Sequence, residues 1–221
     1  MKGNGWRWRL LVVLVAGLSI APTGVLASRD SGSSLNLLLK AGISDDWFII
    51  SRSNLASRRH NEDVFFGYVG AALGYQFNAN WSARLGYRHV WLQLGDHWVE
   101  EDRPFVEAYF ADDLDGFRIT NRTRAEFRFF DHREDDIRLR NEITVEAPWA
   151  LTSLSLRPYL EEEIFYSTGD NRVEANWLGG GLAWRPAKGT KLKLGYRWNR
   201  FRVGDEWRDR DVLVAGLNLF F

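Results

Sequence analysis

Residues 117–146, FRITNRTRAEFRFFDHREDDIRLRNEITVE, carry their charges on alternate positions, and no other feature restricts the possible folds of this chain as much. Arg118, Arg122, Arg124, Glu126 and Arg128 share one side, followed by Arg138, Arg140, Glu142 and Glu146. Between them lie Phe117, Ile119, Asn121, Thr123, Ala125, Phe127, Phe129, Ile137, Leu139, Asn141, Ile143 and Val145, with no ionisable group among them. A period of two belongs to a β-strand, whose successive side chains point to opposite faces. One face is ionic and the other is not, so the fold depends on which of them meets the surroundings.

The same alternation recurs along the chain. Ten segments show it, near residues 46–57, 64–77, 81–93, 104–112, 117–130, 136–147, 153–166, 172–185, 190–202 and 209–221. Trp81, Ala83, Leu85, Tyr87 and Trp91 oppose Ser82, Arg84, Gly86 and Arg88; Leu192, Leu194, Tyr196 and Trp198 oppose Lys191, Lys193, Gly195 and Arg197. In the segment from Phe65 the second face is small, with Gly70, Ala72 and Gly74, which suits a crowded interior. Short turn clusters (NAN at 78–80, DLDG at 113–116, AKG at 187–189) alternate with more charged links such as RRHNED, LGDHWVEED and DHRED, as in a strand meander closed on itself.

Energy decides the orientation. Strands of ~10–12 residues, tilted near ~45°, cover roughly the ~25 Å apolar band of an outer membrane. Trp47, Phe77, Trp81, Trp149 and Trp184 lie at one set of strand ends and Trp91, Phe129, Tyr166 and Trp198 near the other, as interfacial belts do. If the ionic face of residues 117–146 met hydrocarbon, its arginines alone would cost ~2–4 kcal/mol each near the midplane, against a net domain stability of only ~5–15 kcal/mol. The charges are therefore assigned to the inside. The expected fold is all-β, a single antiparallel up-and-down transmembrane β-barrel of about ten strands (eight or twelve as alternatives) with a polar, charged lumen. A soluble periplasmic lipocalin-like binding barrel, apolar inside, is the structural alternative. Glu162 fits poorly, because it falls on the lipid face with Leu160 and Ile164. The alternation also slips near 177–181, which suggests a bulge in each of these two strands.

The residues assigned to the lumen are Arg84, Arg88, Glu107, Arg118, Arg122, Arg124, Glu126, Arg128, Arg138, Arg140, Glu142, Glu146, Arg157, Glu161, Glu163, Lys191, Lys193 and Arg197. Cations outnumber anions among them. Such a set supports a structural network of Arg–Glu pairs across the lumen or a narrow path for small anionic solutes, since rings of Arg and Lys favour negative ions.

Residues 1–27 read as a cleaved secretory signal peptide. Lys2, Arg7 and Arg9 precede an apolar run from Leu10 to Ala21, and Val25-Leu26-Ala27 is a small-residue exit. The run is too short for a helical span, which needs ~20 residues. Removing these residues takes three of the 29 basic side chains and none of the 29 acidic ones, so the remainder carries a formal charge of −3 and gives no sign of nucleic-acid binding. With no cysteine, an exported chain holds together without disulfides or thiolate metal sites. Residues 28–45 are read as an N-terminal lead-in of uncertain structure and 46–221 as one barrel domain. Four histidines, at 60, 89, 97 and 132, show no ligand spacing, and no cofactor is expected.

The final stretch, DVLVAGLNLFF, steps by two from Leu213 to a terminal Phe221. It resembles the C-terminal strand by which Gram-negative outer-membrane barrels are recognised by the barrel-assembly machinery. At NRTRAEFRF (121–129), IRLRNEI (137–143), LRPYLEEEIFY (156–166) and LKLGYRWNR (192–200) the chain resembles a bacterial domain-of-unknown-function family of small Gram-negative outer-membrane barrels with Arg-x-Arg-x-Glu-x-Arg strands. That resemblance implies the outer membrane as location and its lipid as surroundings, and it implies no catalytic activity. An outer-membrane hydrolase is a third possibility, with Asp96-His97 or Asp131-His132 at the outer rim acting as general base.

Overall fold

A computed structural model describes residues 30–221; the expected signal peptide, residues 1–27, lies outside the described residues. Eleven strands form one closed barrel, and there is no helix among the described residues. They are β1 Asp30–Gly42, β2 Trp47–Arg58, β3 Asp63–Gln76, β4 Trp81–Leu94, β5 His97–Leu114, β6 Phe117–Phe130, β7 Asp136–Glu146, β8 Arg157–Ser167, β9 Arg172–Ala187, β10 Thr190–Val203 and β11 Glu206–Phe220. Neighbours in sequence pair antiparallel from β1 through to β11, and β1 closes the ring against β11 in parallel.

The eleventh strand corrects the expectation for residues 28–45. That lead-in supplies β1, which pairs with β2 from Ser34↔Ala56 to Gly42↔Phe48 and with β11 from Asp30↔Arg210 to Lys40↔Phe220. Its sequence, DSGSSLNLLLKAG, hides the alternation because its inward positions hold Gly32, Ser34 and Asn36 and not arginine. The count of eleven differs from the expected ten, and being odd it leaves the two ends of the strand series on opposite sides of the barrel. Asp30 stands at the end of the barrel opposite Phe221, and the single parallel seam makes closure possible. Side chains pin the start of the seam: Arg210 Nε donates to Asp30 Oδ2 at 2.7 Å and Arg59 N to Asp30 Oδ1 at 2.7 Å. At the other end Phe221 N donates to the Lys40 carbonyl at 2.9 Å.

Two of the links also shorten. LGDHWVEED is mostly strand, because β4 and β5 pair as far as Leu94↔His97 and turn over two residues. Residues 203–208, between the last two alternating segments, are likewise mostly strand, with Val203 paired to Glu206. The longest link, residues 147–156, lies at the same end as the tight turns 115–116 and 188–189, so link length does not separate the two ends. The register shift in β8/β9 falls where Phe165↔Ala175 is followed by Tyr166↔Val173, leaving Glu174 as the extra residue, and not within 177–181. Glu162 needs no bulge. It stays on the outer face, where Asn176 Nδ2 donates to its Oε1 at 2.9 Å.

The barrel is inside-out relative to a soluble domain. Large apolar side chains cover its outer wall: Leu85 is 66% exposed, Leu194 59% and Leu213 58%. Polar groups on that wall pair locally; Asn121 and Asn141 exchange amide hydrogen bonds of 3.1 and 3.2 Å. Inside, glycines face aromatic rings. Gly74 is paired with Phe48 and Gly86 with Phe105, and a Cβ on either glycine would sit 2.2 Å and 2.4 Å from the opposing ring. Tyr159 lies over Gly195 in the same way, with its hydroxyl 2.5 Å from where a Cβ would be.

Closure by β1 depends on close approach at Gly32, where an added Cβ would fall 2.0 Å from the Ser57 carbonyl oxygen; at Gly42 it would meet nothing within 4 Å. Gly32→Val is expected to lower stability by at least ~1–3 kcal/mol, the usual cost of overpacking. Gly42→Ala should change the unfolding free energy read from urea denaturation of the refolded barrel by less than ~0.5 kcal/mol.

Candidate functional site

The interior is the site, and alternation on β4 to β8 builds it. Every second residue of these strands points inward, and many of those positions hold long ionised groups, several of them in complementary cross-strand pairs. Glu107 on β5 faces Arg84 on β4 and Arg124 on β6; Glu126 on β6 faces Arg138 on β7; Glu142 on β7 faces Arg122 on β6. Direct opposition in an antiparallel ladder brings the side chains within reach.

Glu126 is the centre of this lattice and is 0% exposed. It accepts from Arg138 Nε at 2.9 Å and Nη2 at 2.6 Å, from Arg140 Nη1 at 2.6 Å and from Arg124 Nη1 at 3.2 Å. Glu107 accepts from Arg124 Nε at 2.8 Å and from Arg84, with Arg52 and Arg122 at 3.7 and 3.9 Å. Arg140 reaches Glu163 at 2.7 Å, and Arg122 joins Glu163 at 3.0 Å to Glu142. Toward the end where Asp30 stands, Glu101 binds Arg103 at 2.5 Å and Arg128 at 2.6 Å. Toward the opposite end, Glu146 holds Lys191 at 2.7 Å together with Arg185, and Lys193 meets Glu161 at 2.5 Å.

Rings complete the filling. Arg124 lies 4.3 Å from the Phe105 centroid, Arg140 4.5 Å from Phe165 and Arg88 3.9 Å from Tyr68. A guanidinium is planar and weakly hydrated, so it stacks on a ring and forks onto a carboxylate at the same time. The opposite wall of the lumen is small: Ser34, Gly179, Gly181 and Val214 offer the room that the arginines of β4 to β8 occupy.

Fifteen of the eighteen residues assigned to the lumen meet in this network or stack within it, from Arg84 and Arg88 through Lys191 and Lys193. Arg197 also lies inside, 2.8 Å from Asn199 Oδ1 and 4.2 Å from the Trp177 centroid. Two do not join. Arg118 sits at the rim, 44% exposed and bonded to Asp113, and Arg157, the first residue of β8, is exposed at the same end. Both have the inward parity, but the strand ends before their side chains are enclosed.

The sequence reasoning missed Arg52, Glu101, Arg103 and Glu174. Glu101 and Arg103 fall between the alternating segments 81–93 and 104–112, although their odd parity matches that of Phe105 and Glu107 and marks them as inward. Glu174 turns inward only because of the register shift beside it. Arg52 stands alone among neutral neighbours on β2, so alternation of charge could not mark it.

At the rim, His132 Nδ1 lies 2.7 Å from Asp131, whereas no hydrogen bond joins Asp96 to His97 among the described residues. The His132 pair is exposed. A lipocalin-like cup would need an apolar lining, which this ionic interior does not provide. Among the described residues no group of three or more His, Asp or Glu side chains is placed to hold a metal ion.

A family model described as "protein of unknown function (DUF2490)" matches residues 34–210, from within β1 to within β11. No curated protein and no solved structure matches the chain.

Removing one partner from a buried charge lattice leaves the others uncompensated, which costs ~3–5 kcal/mol, whereas exposed pairs contribute ~0–1 kcal/mol. Glu126→Gln should therefore destabilise the barrel strongly, and Asp113→Asn, which strips the rim pair with Arg118, should scarcely move the denaturant midpoint.

Proposed function

The chain belongs to this family of unknown function, and we propose that it is a β-barrel of the Gram-negative outer membrane, closed by its own ionic lattice and structural in role. The observation that carries this reading is the reversal of polarity across the wall. Arg124 is 2% exposed and Glu126 fully enclosed, while every strand leaves at least one large apolar side chain exposed on its outer face. Water around that outer surface would leave the apolar wall without cover; hydrocarbon covers it at no desolvation cost.

Strand length and aromatic placement support the same surroundings. The strands run from 11 to 18 residues, enough to cross the apolar band with a tilt. Trp47, Phe77 and Trp81 are exposed at one end and Trp91 and Phe129 toward the other, the arrangement that amphipathic rings adopt at headgroups.

The lumen favours structure over passage. Among the Arg–Glu bridges and stacked rings, Arg52, Arg84, Arg88 and Arg124 leave between them a cavity of only about 10 Å³. Such a barrel orders the membrane wall, or presents its ends to other envelope components, without conducting. The second reading, slow passage of small anions, draws on the surplus of arginine over glutamate in the same lattice.

In a Gram-negative host the protein should fractionate with the outer membrane and migrate faster in SDS gels before heating than after. A spin label at Leu194 should report hydrocarbon and one at Arg124 a polar interior; the reverse result, or a detergent-free monomer, would end this reading. Refolded protein in a planar bilayer should be electrically silent. Steady anion-selective openings would transfer the function to passage.

A further inference from the structure

Arginine outnumbers glutamate most severely at one place in the lumen, between β2, β4, β5 and β6. Arg52, Arg84, Arg88 and Arg124 line a cavity there with Glu107 as the sole carboxylate in its wall, and Phe105 closes one side. Its volume is about 10 Å³. That is the room needed by roughly one water-sized particle.

The pairing around this cavity is incomplete. Glu107 is shared by Arg84, Arg124 and, at 3.7 and 3.9 Å, by Arg52 and Arg122. Arg88 comes no closer to a carboxylate than 3.5 Å, at Glu126, which three other arginines already occupy. The Nε atoms of Arg52 and Arg84 are both buried and have no acceptor. Arg84 as a whole is 6% exposed. Buried donors without acceptors are uncommon because each forfeits its hydration with nothing in return. Here the two residues that carry them both line one small space, in a wall that holds four cations and one anion.

We propose that this cavity is a binding site for a small monatomic anion of the halide class, with chloride as its occupant. One such ion supplies the acceptor that both Nε–H groups lack and reduces the net charge of the wall. A water molecule would satisfy the donors and leave the charge, whereas sulfate or phosphate exceeds the space. The site is a property of the lumen alone. It stands whether the barrel lies in a membrane or not, and it concerns occupancy and not passage.

The test uses the full mature chain, purified and refolded, in sodium chloride, sodium bromide, sodium sulfate and sodium gluconate at equal ionic strength. Chloride and bromide are expected to raise the thermal midpoint progressively, by about 5–10 °C at a concentration roughly a hundredfold above Kd, and gluconate and sulfate are not. Arg52→Gln should remove this halide increment while the barrel remains heat-modifiable. Independently of any variant, the unmodified protein should broaden the ³⁵Cl resonance, and bromide should displace that broadening. Equal stabilisation by gluconate, an increment that survives in Arg52→Gln, or a ³⁵Cl line no broader than in a protein-free blank would each overturn the assignment.

Discussion

The structure depends on the enclosure of charge. A barrel that turns its apolar side chains outward has no hydrophobic core, so something else must fill its lumen and hold its walls at a fixed distance. Here arginine does this with glutamate. Glu126 alone gathers Arg124 from its own strand β6 and Arg138 and Arg140 from β7 within hydrogen-bond range, and Arg140 hands the connection on to Glu163 on β8. A lattice of this kind is unforgiving, because each ion is tolerated only while its partners stay in place. It also specifies register: a one-residue slip of β6 against β7 would send Arg124, Glu126 and Arg128 to the outer wall together.

Arginine is the residue that makes such a lumen possible. Its guanidinium forks onto carboxylates through two nitrogens and stacks on rings with its flat face. Arg140 does both, on Glu163 and Phe165. Lysine, a point charge on a flexible stem, appears toward the end of the lumen that lies opposite Asp30, as Lys191 and Lys193. Glycines complete the fit, since Phe48, Phe105 and Tyr159 enter the interior only where Gly74, Gly86 and Gly195 leave the opposing wall bare. Crowding and charge pairing are thus two aspects of one filled interior. The cavity at Arg52 is the place where both run short.

Much of this was legible without coordinates, because strand geometry is local. Alternation identified the inward faces of β4, β6, β7, β8 and β10, and cross-strand pairs such as Arg122 with Glu142 follow once those faces are known. The chain was less readable where the inward face carries no charge. β1 presents Gly32, Ser34 and Asn36 inward, so the strand that closes the barrel looked like a polar leader. β5 was cut short because Glu100, Glu101 and Asp102 are consecutive acids, which read as solvated loop; in the barrel Glu101 turns in to Arg103 and Arg128 while Glu100 and Asp102 turn out.

The sequence by itself determined that this chain forms strands with one ionic and one apolar face, and that the ionic face must be enclosed, since period-two patterning and the cost of charge in hydrocarbon are properties of each segment. Only the tertiary structure decided how many strands there are, that the ring closes through a parallel β1–β11 seam, that Glu174 turns inward, and which arginines remain underpaired. Those outcomes depend on register and on distances between side chains from strands far apart in the chain, and a spacing rule that operates within one strand carries no information about either.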